Sequence, residues 1–505
     1  MTETAPGRSP TITESHKTHP AVQKLLNAAE QYVSPPYLTK SHNLWGLDKR
    51  GNNEFKSDLY DAADPANQIY EGKVWVPKGN PESVMPDAFD FENLKFIDIE
   101  KTKKALEQLE AYAMDLEGGQ KVALVIGTGG TIAMSEQDGK LVPQLDTDQI
   151  LEFAGHNLEK EFKLVGLEFP KAMDSSQMCP DFIMDITIAI SAIYNKASDN
   201  LKNHLSGFLV THGTDTLAWS AADMAMALGP NPPFSVAFVG AQQTTESKFT
   251  DVAINVANAL RSLSELETNH LNSVMIGIGG TAGAAYSPVG AEKVSDVKAK
   301  AFDTPGHQEF IKWEDFGVGG VHNSFLENMP AVSRNKLLKP LIFTGYRPSF
   351  RISPEQGSNP VAEYNRVINS SEPVVILESF GTGTAHKDII EAVMTAAEES
   401  GKIVFLASPL AVGSLDHTYA DALYAVKRGA VPVEMMGAAL SAKIQLGVTM
   451  LGTKDKKRLA TFITNTNYAG EQFPKWKPKK EQGTQDSDYI GAPKGFYDAA
   501  WTGTM

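Results

Sequence analysis

The sequence predicts an α/β protein with a mostly parallel sheet and helices on both faces. Three observations carry this. Short apolar runs end in glycines or hydroxyl residues, longer helical patterns lie between them, and the two alternate from residue 119 onward. Val122–Ile126 is the first run, continuous and apolar, as expected of a strand buried on both faces. Phe208–Thr211, Ser235–Val239, Val274–Ile278, Leu341–Thr344, Val374–Leu377 and Ile403–Ala407 read the same way. Helices are expected over Asp181–Tyr194, Leu217–Leu228, Val252–Leu263, Asp388–Glu399 and Met435–Leu451.

These elements group into a larger amino-terminal α/β domain (119–302) and a smaller carboxyl-terminal one (337–465), with 303–336 as a linker because it holds many turn formers and few periodic patterns. Ahead of them, 1–20 is rich in Thr, Ser and Pro and is expected to be disordered, and 21–118 is an amino-terminal extension. The extension carries helical stretches at Val22–Tyr32 and Ile99–Leu116 but no catalytic motif. Residues 466–505 form a polar tail whose basic cluster, Pro474–Lys480, reads as a solvated segment.

Composition narrows the function classes. A net charge of −15 over 505 residues repels phosphate backbones, so no direct nucleic-acid partner is expected. Hydrophobic residues at 42% and charged residues at 21% describe a globular chain rather than a disordered one. No apolar run reaches the ~18 residues of a membrane span, and the first twenty residues lack the apolar stretch of a secretory leader. Cys179 is the single cysteine, which rules out an intrachain disulfide and a multi-cysteine metal cage; the 11 histidines form no HExxH motif. The expectation is a cytoplasmic protein with no metal and no cofactor.

Ligands collect at the carboxyl ends of parallel strands. Three such ends stand out: Gly127–Ala133 (GTGGTIA), Thr211–Thr216 (THGTDT) and Gly277–Gly283 (GIGGTAG). The first lacks the final Gly or Ala of a dinucleotide fingerprint, because Ile132 stands there, and it lacks the GK[ST] of a phosphate loop. The third fits GxGxxA, but the following AYSPVGAEKVSD contains Pro and no helical period, so no helix amino terminus would face a pyrophosphate. The first two loops place hydroxyls beside glycines, and the second adds a carboxylate. A threonine hydroxyl needs a base before it attacks, and neighbouring glycines let a substrate approach the backbone. With no histidine or cysteine arrangement to do this work, the pattern points to a threonine hydrolase with a lysine base.

TGGTIA at Thr128–Ala133 and HGTDT at His212–Thr216 resemble the two signature motifs of the bacterial-type L-asparaginase family, in order and separation. Asp174–Met178 is similar to that family's substrate loop, and Val239–Ala241 to its strand ending on a substrate-contacting alanine. The resemblance runs from about residue 120 to 465. It implies a flavodoxin-like carboxyl-terminal domain and hydrolysis of L-asparagine, with L-glutamine as a second amide, through an acyl-threonine intermediate. Thr131 matches the nucleophile. Thr214 matches the second hydroxyl, Asp215 the group that binds the substrate α-amino group, and Ser175 the group that binds the α-carboxylate, with Ser176 beside it. Gly130, Gly213 and Ala241 match further substrate contacts. Lys293, nine residues before Phe302, matches the family's lysine. Backbone N–H groups of Gly130 and Thr214 are the expected oxyanion donors. The resemblance also implies a homo-oligomer, dimer or tetramer, with sites near the contact between amino- and carboxyl-terminal units of paired subunits.

One departure is plain. The family's tyrosine after the first motif is absent from Met134–Pro143, where Val142 aligns with it. Two other readings stand beside the hydrolase. One is the ammonia-releasing subunit of the archaeal-type glutamyl-tRNA(Gln) amidotransferase, which has an asparaginase-like body and an extra amino-terminal domain, although only Tyr70–Pro77 here suggests the strands of a small barrel. The other is a ligand-binding pseudoenzyme.

Overall fold

The computed structural model describes residues 90–471, with breaks at 138–139, 144, 155–157, 230–231, 305–308, 315–316, 322–325, 327–337, 339, 344, 356, 382, 409–419, 434, 436, 466–468 and 470, together with 68–70 and 74–75. The expectations for 1–20, for Val22–Tyr32 and for the tail beyond 471 lie outside the described residues.

The chain divides into two units. The larger begins with β1 (Gln68–Tyr70), β2 (Val74–Trp75), α1 (Ile99–Met114), β3 (Lys121–Gly129), β4 (Met134–Gln137), β5 (Lys140–Pro143), α2 (Thr147–Ala154), α3 (Leu158–Glu161) and β6 (Phe162–Met173). It continues with α4 (Pro180–Lys196), α5 (Asp199–His204), β7 (Leu205–Thr211), α6 (Leu217–Leu228), β8 (Val236–Val239), α7 (Val252–Thr268) and β9 (Val274–Ile278). Five short strands follow: β10 (Ala284–Tyr286), β11 (Glu292–Lys293), β12 (Phe302–Asp303), β13 (Ile311–Glu314) and β14 (Gly317–Val321). The smaller unit holds β15 (Ser349–Ile352), α8 (Pro360–Asn369), β16 (Val374–Glu378), α9 (Lys387–Glu399), β17 (Ile403–Ala407), α10 (Ala420–Lys427) and β18 (Val431–Val433). Helices α11 (Gly437–Leu451) and α12 (Lys456–Asn465) belong to the larger unit again.

An eight-stranded sheet in the order β14-β13-β10-β9-β8-β7-β3-β6 organises the larger unit. From β6 to β9 neighbours run parallel; from β9 to β14 they run antiparallel. The chain enters at β3, moves outward to β6, then returns to the other side of β3 to lay down β7. The order therefore reverses at the β3/β7 boundary, where an open α/β sheet forms a crevice. Val122, Leu124, Ile126, Phe208, Val210, Phe238 and Ile276 are fully buried, as continuous apolar strands require. Helix α6 is buried on nearly every side, packing against α4, α11 and the sheet.

Several expectations change. Residues 311–314 and 317–321, read as linker, are β13 and β14 at the sheet's antiparallel end; the alternating pattern at Ile311–Glu314 is that of a half-exposed strand. Leu341–Thr344, read as a strand, lies outside both sheets where described, with Leu341 N–H donating to Ala227 O at 2.7 Å. Helix α11, read with the second domain, packs along α6 instead. Helix α1, read within the extension, buries Ala105, Leu109 and Ala113 and packs against β3 and β6. The segment before it is pinned by Asp185 of α4, whose carboxylate accepts the backbone N–H groups of Lys95, Phe96 and Ile97 at 2.7–3.0 Å. The smaller unit is a four-stranded parallel sheet, β15-β16-β17-β18, around a core that includes Ile352, Val375, Leu377, Ile389 and Leu406.

Candidate active site

Two glycines let β3 end in a site. Gly129 and Gly130 have φ of 109° and 82°, conformations that disfavour any side chain, and they feed a single 3-10 turn at Thr131–Ala133. A methyl group on Gly130 would overlap the backbone of Gly213, so the loops after β3 and β7 touch there. Thr128 Oγ1 also donates to Thr211 O at 2.6 Å. After β6, Asp174 caps a second 3-10 turn, its carboxylate accepting Ser176 N–H at 2.8 Å. That bond holds the Asp174 carboxyl below its ordinary pKa. Thr216 Oγ1 then donates to Ser175 O at 2.7 Å and ties this turn to the loop after β7.

A cavity of about 250 Å³ opens where these loops meet. Gly130, Thr131, Ser175, Gly213, Thr214, Asp215 and Lys293 all line it. Ser175 and Thr214 are buried, while the Asp215 side chain is 64% exposed. Lys293 reaches in from β11: its Nζ lies 3.0 Å from Thr214 Oγ1 and 2.6 Å from Asp215 Oδ1. A second carboxylate, Asp296, lies 2.7 Å from the same nitrogen. Burial opposes the ammonium, but the bonds to Asp215 and Asp296 outweigh it and hold the Lys293 pKa above its ordinary value.

Some expected residues stand elsewhere. Ser176 is exposed and does not line the cavity, and Ala241 is fully buried; its neighbour Gln242 faces the cavity instead. Asp251 fixes that neighbour by accepting the N–H groups of Gln242 and Gln243 at 3.0–3.1 Å. Gly130 N–H donates to Met173 O at 3.0 Å, so the oxyanion donor expected there is already committed. Thr214 N–H has no partner among the described residues. The backbone places Val142 in the β4–β5 hairpin opposite Ser135, and the side chains there lie outside the described residues. Sequence reasoning missed Met134, Gln242 and Asp296 as cavity residues and took Asp174 only as part of a loop. Asp296 carries no motif signal; it comes into place through the bend after β11.

His212 supports the site from below. It is fully buried, and its Nδ1–H donates to Gly213 O at 2.7 Å, because a carbonyl can only accept. Burial lowers its pKa to about 4 despite that bond, so the ring is neutral near pH 7.

Among the described residues, no group of three or more His, Cys, Asp or Glu could hold a metal ion, and no helix is long and apolar enough to cross a membrane. Residues 122–322 match the family model "Asparaginase, N-terminal". The chain carries an asparaginase-family domain. A glutamyl-tRNA(Gln) amidotransferase subunit from Metallosphaera sedula is 24% identical over 409 residues, spanning 77% of this chain and 86% of that one. The L-asparaginase of Thermococcus kodakarensis is 24% identical over 360 residues, spanning 69% and 98%. The solved thermostable L-asparaginase from the same organism superposes with a TM-score of 0.56 at 21% identity, covering 70% of this chain and 99% of that one. At that identity the superposition establishes the fold. The asparaginase-family domain thus holds the whole described cavity, from Gly130 to Asp296.

Proposed function

We propose that this protein is an amidohydrolase that splits L-asparagine into L-aspartate and ammonia, with L-glutamine as a second substrate. The observation that carries the reading is Lys293 Nζ, 3.0 Å from Thr214 Oγ1 and 2.6 Å from Asp215 Oδ1, in a cavity that Thr131 and Ser175 also line. Thr131 attacks the side-chain amide carbon and forms an acyl-threonine. Lys293, acting through Thr214, removes that hydroxyl's proton and returns it to the leaving nitrogen as the carbon–nitrogen bond breaks; ammonia leaves, and water then cleaves the acyl-threonine to release the acid and restore the Thr131 hydroxyl. Thr214 N–H serves as an oxyanion donor, a contribution of roughly 3–4 kcal/mol in comparable hydrolases. Ser175 binds the substrate α-carboxylate. Asp174 and Asp215 give the cavity a negative side suited to the α-ammonium. A homo-oligomer in the cytoplasm completes the proposal, and the single cysteine fits a reducing compartment.

A second reading has its own support. The Metallosphaera sedula relative, which matches over more of this chain than the L-asparaginase does, is named an amidotransferase subunit. On that reading the same site releases ammonia for a partner protein. A coupled ammonia assay on purified protein, with each amide, separates the two. Ammonia from asparagine by the wild type and none from Thr131→Ala is the expected result. Release only after a partner protein is added favours the second reading. Stabilisation by asparagine with neither ammonia nor an acylated Thr131 in mass spectra marks a pseudoenzyme and overturns both.

A further inference from the structure

A tetrahedral intermediate puts a full charge on the former carbonyl oxygen, and a site that forms one supplies N–H donors at that point. One donor expected here, Gly130 N–H, is committed to Met173 O at 3.0 Å. The cavity lining also sets three carboxylates, Asp174, Asp215 and Asp296, against the ammonium of Lys293. A further negative charge in such a place needs another donor beside Thr214 N–H.

Gln242 is placed to be that donor. Its side chain lines the cavity, and its Nε2 is buried with no partner among the described residues. An amide nitrogen carries two N–H bonds, and a donor kept from water without an acceptor is costly. That cost is recovered when an acceptor arrives. The backbone at Gln242 is held from both sides. Asp251, only 4% exposed, accepts the Gln242 and Gln243 N–H groups, and Asn255 Nδ2 donates to Gly240 O and Asp251 Oδ2, each at 2.9 Å. The end of β8 in turn packs on the loop that carries Thr214. His212 N–H donates to Val239 O at 2.8 Å, and a Cβ built on Gly240 would lie 3.1 Å from Thr214 Cγ2.

Position along the sheet says which end of a substrate this amide meets. Strands β6, β3, β7 and β8 are consecutive neighbours, about 4.8 Å apart, and the loops that follow them carry Ser175, Thr131, Thr214 and Gln242 in that order. With Ser175 on the α-carboxylate, the substrate side chain points across Thr131 and Thr214 toward Gln242. We infer that Gln242 is a catalytic residue whose Nε2 donates to the substrate's amide carbonyl oxygen and, with Thr214 N–H, holds the oxyanion. The inference rests on the proposed attack by Thr131. In that step the bond from Thr131 Oγ1 to carbon forms, the carbon–oxygen π pair moves onto oxygen, and the Thr131 proton passes through Thr214 to Lys293. The Gln242 N–H bonds stay intact throughout.

Two variants of the full chain test this. Gln242→Met keeps the length of an unbranched side chain but has no donor; Gln242→Glu sets a carboxylate against the oxygen. Gln242→Met is expected to lose about a hundredfold in kcat for asparagine with KM within about threefold, the mark of a contact that strengthens in the transition state. Gln242→Glu should lose more. A kcat for Gln242→Met within about threefold of wild type, or a Gln242→Glu that outperforms it, overturns the inference. Isothermal titration with L-aspartate needs no turnover, because its side-chain carboxylate brings a charged oxygen to the same point. Its Kd should rise at least about fivefold in Gln242→Met, while the melting temperature without ligand equals or exceeds that of wild type, since an unpaired donor has been removed. A lower melting temperature with unchanged aspartate affinity assigns Gln242 to packing and overturns the inference. A wild type that hydrolyses neither amide overturns the proposed function instead, and the aspartate titration then decides on its own whether Gln242 binds that oxygen. A wild type that neither hydrolyses an amide nor binds L-aspartate overturns both.

Discussion

The turns after β3 and β9 are close copies in sequence, GTGGTIA at Gly127–Ala133 and GIGGTAG at Gly277–Gly283. Both leave a strand through two glycines of positive φ and enter a single 3-10 turn, at Thr131–Ala133 and Gly280–Ala282. Only the first opens onto the cavity. The difference lies in where each strand stands. Strand β3 ends at the reversal of strand order, and its glycine admits another loop, because the space a Gly130 side chain would fill belongs to Gly213. Strand β9 is followed by its antiparallel neighbour β10, and a Cβ on Gly279 would meet Gly283 of its own turn at 2.5 Å. The second turn is closed by Asn255, whose Oδ1 accepts Gly280 N–H at 2.9 Å while its Nδ2 donates to Gly240 O at 2.9 Å. One glycine-threonine turn forms a wall of the cavity and the other braces the loops around it. Topology, rather than the local motif, decides which turn meets the cavity.

The largest test of that contrast exchanges the matched threonines. Thr131→Ala is expected to lower asparagine turnover by at least about a thousandfold with the fold retained, as loss of a nucleophile does. Thr281→Ala, at an exposed position outside the cavity, should leave turnover within about twofold. Steady-state kinetics on both variants would break the comparison if the two fell alike. A smaller effect separates the glycines. Gly130→Ala must place a Cβ at φ 82° and against the Gly213 backbone, a combined cost of about 2–5 kcal/mol. Gly280→Ala, at φ 64° with its nearest neighbour 3.4 Å away, should lose only about 1 kcal/mol. Urea denaturation of the two proteins checks the ratio.

How far the sequence alone reached follows the same logic. Strands β3, β7, β8 and β9 were legible because both faces are buried and the chain is continuously apolar there. Strand β6 was not, since it forms the sheet edge and mixes Lys163, Glu168 and Pro170 into its run. Strand β13 alternates buried and exposed residues over only four positions and passed for linker. In the site, Thr131, Thr214 and Asp215 could be singled out because each sits in a dense motif at a strand end. Lys293 came only through its family resemblance, since a two-residue strand bears no pattern of its own. Asp296 could not be read at all: its place depends on the Ser295 bend, and such hydrogen bonds leave no periodic trace.

The remaining prediction concerns pH and again sets the two turns apart. The loop joining β7 to the site rests on a buried titratable ring, His212, whereas the turn after β9 rests on the Asn255 amide, which does not titrate. The His212 pKa falls from an ordinary 6.5 to about 4 on folding. Between those values the unfolded chain binds a proton that the folded chain refuses. The contribution to stability is therefore constant above pH 6.5 and is lost as the pH drops toward 4, approaching about 3 kcal/mol at the acid end. Protonation would also add a second N–H at Nε2, a buried atom with no partner among the described residues. Melting temperatures between pH 7 and pH 4 should fall more steeply for the wild type than for His212→Gln, which cannot take up that proton. Parallel curves would mean that the acid sensitivity belongs to other groups, and the strand-end loops would then be equally indifferent to pH.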